Sequence, residues 1–299
     1  MERRRLGHTD MVVGVLGFGG GEIGYEGAPV ETVDRLLGRA LDAGLNVIDT
    51  AECYADSEEK IGQTVSGRRA QYYLFTKCGH PEGFGRPDWR SASLLQSIER
   101  SLRRLRTDRV DLVQLHSCSE AELRTGDVIA ALRTAREKGH TRYIGYSGDG
   151  AAARYAIESG AFDTLQTSIS IADQEAIDLT LPLARARGLG VIAKRPLANA
   201  AWRSGERPPK SAYHQTYWER LRALDYDVVR DRPEEAAGVA LRFTLSAPGV
   251  HTAIVGTTRA ERWLENAALL AAGPLPAETI AAIRARWREV ADPTWVGQV

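Results

Sequence analysis

The 299-residue chain is 43% hydrophobic and 26% charged, and its 39 basic side chains balance 39 acidic ones to a formal net charge of zero. That balance gives no electrostatic footprint for nucleic acid or an anionic membrane, and no run of about 18 apolar residues marks a transmembrane helix. The N-terminal residues MERRRLGHTD lack the apolar stretch of a secretory signal, and three cysteines at non-zinc spacings make neither a disulfide framework nor a metal site. The expectation is a cytoplasmic globular enzyme without a metal. Its basic side is uneven, with only five lysines (Lys60, Lys77, Lys138, Lys194 and Lys210) against 34 arginines.

In chain order, RRRLGHTDMVV predicts a β-hairpin turning around Gly7–Asp10. Short β-branched runs then predict eight strands, at 12–18, 45–50, 72–77, 110–116, 142–147, 164–170, 190–195 and 251–256. Amphipathic stretches such as ETVDRLLGRALDAG, SASLLQSIERSLRRLR and VIAALRTAREKG alternate with them, the last closing on Lys138 and Gly139. Eight strand–helix units over residues 1–299 predict a single-domain (β/α)8 TIM barrel. The hairpin would cap one end, and residues 276–290, with Pro276 near the start, would add a C-terminal helix. Residues 198–232 read as a long irregular segment rich in aromatics (Trp202, Tyr213, His214, Tyr217 and Trp218), suited to covering a site.

Active sites of such barrels lie at the C-terminal ends of the strands. Strand two ends on Asp49, with Tyr54 in the following loop; strand three ends on Lys77 and strand four on His116. Burying Asp, Lys and His together is costly unless they pair with one another, which points to a functional cluster. An ammonium beside a phenol lowers the phenol's pKa, the carboxylate holds the ammonium, and the imidazole can orient a carbonyl. Such a site delivers a proton to an oxygen gaining negative charge, and hydride must come from a cofactor.

These residues resemble the aldo-keto reductase family over nearly the whole length. The motifs are LGFGGG at 16–21, NVIDTAECY with Asp49 and Tyr54, FTKCG with Lys77, VQLHS with His116 and IVGTTRAERWLEN at 254–266. The resemblance implies a (β/α)8 barrel that binds NADPH and reversibly reduces an aldehyde or ketone to an alcohol. It makes Tyr54 the general acid, Lys77 and Asp49 its tuners, and His116 the group that positions the substrate carbonyl. Its cofactor-binding positions are Gly20, Gly21, Asp49, Ser147, Gln166, Lys194, Arg195, Leu197, Asn199, Gly256, Thr257, Thr258, Arg262, Glu265 and Asn266. Arg262 would meet the 2′-phosphate, Glu265 and Asn266 the adenine, and Ser147 and Gln166 the nicotinamide carboxamide. GTTR is read as opening the last barrel helix, with Arg259 and Arg262 on its first turn.

Three positions depart from the family's commonest pattern: Gly148 replaces an asparagine, Lys194 an aromatic that stacks on nicotinamide, and Gly256 a basic residue. The last leaves NADH as the alternative to NADPH. Tyr25, Trp89, Trp202 and Trp218 are assigned to the substrate pocket, with Phe84 and Trp295 nearby. Cys53, Cys78 and Cys118, each next to or near Tyr54, Lys77 or His116, suggest thiol-dependent inactivation. The partner implied is a small carbonyl or alcohol. The competing readings are a weakly catalytic NADPH-binding regulator resembling potassium-channel β subunits, and a barrel isomerase that binds substrate phosphate.

Overall fold

The computed structural model describes residues 1–298. Strands β1 (Arg3–Arg5) and β2 (Val12–Gly14) form an antiparallel hairpin. Eight parallel strands follow: β3 (Leu16–Gly19), β4 (Val47–Asp49), β5 (Tyr73–Cys78), β6 (Val110–His116), β7 (Thr141–Ser147), β8 (Thr164–Ser168), β9 (Gly190–Lys194) and β10 (Thr252–Gly256). They close in sequence order, with β10 hydrogen-bonded to both β9 and β3. The expected (β/α)8 barrel is therefore present.

The first expected strand, 12–18, is two strands. Val12–Gly14 belongs to the hairpin and Leu16–Gly19 to the barrel, and Val15 donates its N–H to Glu2 between them. The hairpin plugs the N-terminal end: Leu6, Met11 and Val13 pack against Val47, Phe75, Leu112, Ile192 and Ile254 from inside the barrel. Gly7 makes this closure possible, because its φ is +57° and a Cβ there would lie 2.2 Å from the Gly190 nitrogen.

Helices cover the outside through apolar stripes. Helix 30–42 buries Val33, Leu36, Leu37, Ala40 and Leu41, the spacing of one helical face. Helix 91–105 buries Leu94, Ile98, Leu102 and Leu105 and stops where Arg106 turns left-handed at φ 54°. Helix 127–137 ends as its sequence predicts, with Lys138 capping and Gly139 at φ +77°.

The segment 198–232 is largely helical: a 3-10 turn at Ala198–Ser204, a helix at Ala212–Leu224 and a short one at Asp227–Arg230. With the C-terminal helix Ala277–Val290, it builds a second apolar cluster around Trp202, Tyr217, Phe243 and Trp287. No single helix among the described residues is long and apolar enough to cross a membrane.

Candidate active site

Strand register sets the site. Gly19 pairs with Asp49, Lys77 with Gln114, His116 with Ser147, Ser147 with Gln166, and Ser168 with Lys194. These residues form a polar rim where the barrel's apolar filling stops. Lys77 and Asp49, each 1% exposed, form an ion pair at 2.5 Å. Lys77 also donates to the Thr50 carbonyl at 2.9 Å, and its Nζ lies 3.5 Å from the Tyr54 hydroxyl. The other Asp49 oxygen accepts from Gln166 at 2.8 Å and Gln114 at 3.2 Å. The carboxylate is thus saturated by one cation and two amides, which lets a charged pair survive burial.

The expected lowering of the Tyr54 pKa does not occur. Burial drives its phenol well above the ordinary tyrosine range, with the Asp49 carboxylate adding to the rise. Lys77 spends its ammonium on Asp49 and Thr50, so the phenol keeps its proton. A protonated donor with a cation beside it is suited to releasing that proton only as a neighbouring oxygen gains charge.

His116 stands edge-on to Tyr54, with ring centroids 5.6 Å apart. Burial, the Lys77 cation and His80 hold its pKa well below the ordinary histidine value, so the ring is neutral. Its carbonyl oxygen meets His80 Nε2 at 2.7 Å.

Tyr54 and His116 open onto a cleft of about 1150 Å³. Along it lie Gly20, Gly21, Asp49, Ser147, Gln166, Lys194, Arg195, Leu197, Asn199, Gly256, Thr257, Thr258, Arg262 and Asn266, all expected at a cofactor. Glu265 does not line the cleft; it bridges Arg262 at 2.9 Å and Arg259 at 3.2 Å. The helix carrying these residues begins at Arg262, so GTTR is a loop before it and Arg259 precedes the first turn.

A sequence model described as "Aldo/keto reductase family" matches residues 11–288. The chain belongs to the aldo/keto reductase family. Curated relatives include L-galactose dehydrogenase from Arabidopsis thaliana, 28% identical over 99% of this chain and 97% of that protein. A probable voltage-gated potassium channel subunit beta from the same plant is 26% identical over 89% of this chain and 90% of its own. Among solved structures, the aldo-keto reductase AKR11C1 from Bacillus halodurans in its holo form superposes with a TM-score of 0.84, at 27% identity, over 98% of this chain and 99% of that one.

In this member of the family the residues expected at a substrate pocket line the cleft only in part. Tyr25 and Trp202 line the cleft, and so do Phe84, Arg203, Tyr213 and His214. Trp89 and Trp218 do not. Trp89 lies over Gly79, where a Cβ would meet its ring at 2.0 Å, while Trp218 donates to the Gly205 carbonyl at 2.9 Å. Trp295 packs on Trp287, 5.6 Å between centroids, away from the cleft.

Each departure from the family pattern has defined local surroundings. A Cβ on Gly148 would meet the Tyr146 hydroxyl at 2.5 Å, so that ring fills the place of a side chain. Lys194 is neutralised by Asp149 at 2.8 Å, and burial brings its pKa down to about 8 despite that partner. The Glu22 carboxylate lies directly over Gly256, and Glu26 accepts from Thr258 at 3.0 Å. Desolvation in the cleft and the Glu26 charge raise the Glu22 pKa. Nothing in the residue types of GGGEIGYE signals these two acids as cleft residues.

The three cysteines are buried thiols. Burial pushes Cys53 and Cys118 up to about 12 and Cys78 well above the ordinary thiol value. That counts against thiolate-dependent inactivation. Among the described residues there is no grouping of three or more His, Cys, Asp or Glu suited to a metal.

Proposed function

We propose that this chain reduces an aldehyde or ketone to an alcohol with NADPH, Tyr54 giving the proton and His116 holding the carbonyl oxygen. One observation carries the reading: the protonated Tyr54 hydroxyl, 3.5 Å from the Lys77 ammonium, faces the same cleft as the neutral His116. The cofactor fits this cleft. Asn266, 2% exposed and on its wall, keeps an unpartnered Nδ2, while Gly20, Gly21 and Gly256 leave room for close approach.

Ser147 and Gln166, joined at 3.2 Å, would hold the carboxamide, and Arg262 the 2′-phosphate. NADPH, when bound, supplies the hydride. His116 would orient the carbonyl, and Tyr54 would pass its proton to the oxygen while Lys77, fixed by Asp49, stabilises the phenolate left behind. Glu22 would swing off Gly256 to admit the phosphates. The name of the Arabidopsis relative makes aldoses the first substrates to test, and Arg203, Tyr213 and His214 offer partners for hydroxyl groups.

Replacing Tyr54 with Phe should lower carbonyl reduction by about 10² to 10⁴ while leaving the NADPH dissociation constant nearly unchanged. Near-wild-type turnover would remove Tyr54 from the mechanism. The likeness to channel β subunits supports the competing reading of a regulator. Tight NADPH binding with neither NADPH oxidation by a panel of aldoses, aromatic aldehydes and ketones nor NADP+ reduction by aldoses would favour it.

A further inference from the structure

Of the two ring nitrogens of His116, Nδ1 faces Cys53, with Sγ 3.4 Å away, and among the described residues that sulfur is its one hydrogen-bonding neighbour. The ring cannot easily turn away. It is boxed edge-on by Tyr54 at 5.6 Å, Phe84 at 5.0 Å and His80 at 5.5 Å between centroids. Cys53 is fixed as well, since its carbonyl accepts the Tyr25 hydroxyl at 3.1 Å. The preceding Glu52 is tied to the Gly79 and His80 amides at 2.7 and 2.9 Å and to Arg100.

We propose that Cys53 is a positioning residue whose S–H donates to His116 Nδ1, fixing the imidazole in the tautomer that carries its proton on Nε2. The neutral imidazole has one donor and one acceptor nitrogen, and the bond made at one decides the role of the other. With Nδ1 occupied by the thiol, Nε2 is the nitrogen left for the cleft. A proton there can hold a carbonyl oxygen, whereas a lone pair would repel it. The opposite arrangement, Nδ1–H pointing at sulfur, would disarm the ring by shifting one proton without moving a heavy atom.

The protonation states agree with this assignment. Burial keeps the thiol protonated with a pKa of about 12, against the pull of Lys77. His116 is neutral because burial, Lys77, His80, Lys194 and Arg195 all oppose its charge. The thiol therefore keeps a proton to donate, and the neutral ring keeps a lone pair able to accept it. An S–H···N bond is weak, but it needs only to separate two tautomers that are otherwise close in energy.

This inference rests on the reading of His116 as the carbonyl holder, so its test has a readout that needs no turnover. Long-range ¹H–¹⁵N spectra of histidine-labelled protein with NADPH bound would report the His116 tautomer, assigned with a His116→Asn variant. The wild type and Cys53→Ser should both show the Nε2–H form, because a hydroxyl can also donate to Nδ1. Cys53→Ala should show a mixture, with kcat/KM for the carbonyl lowered about fivefold and restored in the serine variant. A pure Nε2–H tautomer in Cys53→Ala would overturn the proposal. So would a serine variant as impaired as the alanine one, since volume rather than the hydrogen bond would then be at work. If the wild type reduces no carbonyl, the proposed function fails while the spectra still decide the role of Cys53.

Discussion

At the scale of single residues, the site is governed by which charges are paired and which are kept neutral. Lys77 and Asp49 are equally buried and joined, so removing either leaves an uncompensated charge. Lys77→Met should cost about 3 kcal/mol or more of folding stability, measurable by urea unfolding, in addition to its effect on turnover. Lys77→Arg is not a conservative alternative: a planar guanidinium cannot serve Asp49, Thr50 and Tyr54 from one point. It should also lose most activity. His116 titrates in the opposite sense to a paired histidine. Its folded pKa lies well below 6.5, so as pH drops through that value the unfolded chain takes up a proton that the folded chain refuses. Its contribution to stability is therefore full above about pH 7 and lost as pH falls. His116→Gln should flatten the stability curve between roughly pH 5 and 6.5, and an unchanged slope would contradict the neutral ring.

At the scale of elements, the turn of helix at Gly21–Tyr25 places the loop that carries Tyr54. Gly24 lies against the main chain of Tyr54, where a Cβ would be 2.0 Å from the carbonyl oxygen. Backbone cannot yield as a side-chain tip can, so Gly24→Ala must push either the helix or Tyr54. The expected result is a loss of about 1–3 kcal/mol of stability with a fall in kcat larger than the change in cofactor affinity. Steady-state kinetics beside thermal unfolding would check both. The same scale explains what the sequence could and could not tell. Strand ends carrying Asp49, Lys77 and His116 were legible, because a polar residue closing an apolar run marks the barrel rim. The division of 12–18 was not, since the apolar run Val12, Val13, Val15 and Leu16 is interrupted only by Gly14, a residue a single strand also accommodates. Helix 212–224 was missed because its buried stripe is Tyr217, Arg220, Leu221 and Leu224, in which an arginine takes an inward position. The choice between Phe84 and Trp89 was equally hidden. Residue type says that an aromatic can wall a pocket, and only the path of the loop after β5 says which one does.

At the scale of the whole molecule, the uneven use of basic residues becomes a division of labour. Lys60, Lys77 and Lys194 are all buried, and each pairs with an aspartate: Asp56 at 2.7 Å, Asp49 at 2.5 Å and Asp149 at 2.8 Å. Lys138 and Lys210 are exposed. Many of the arginines form exposed or half-buried ion pairs across helices and loops, such as Arg39 with Glu261 and Arg284 with Asp178. A compact ammonium suits a buried point contact, and a forked guanidinium suits bridging between elements. Arg262 and Arg259 hold this second role at the far end of the cleft, both bound to Glu265. A 2′-phosphate would compete with that carboxylate for both guanidiniums, whereas the 2′-hydroxyl of NADH would not. The whole fold should register the difference, because a ligand that binds only the native state raises stability with its affinity. A tenfold preference for NADPH corresponds to about 1.4 kcal/mol, or roughly 2 °C in the unfolding midpoint of a chain this long. NADPH should therefore raise the midpoint about 2 °C above that reached with equal, saturating NADH. Arg262→Ala should erase the gap while leaving the NADH shift in place. Equal shifts in the wild type would mean that Glu265, together with the acids Glu22 and Glu26 at the Gly256–Thr258 loop, cancels the advantage the arginines offer to the extra phosphate.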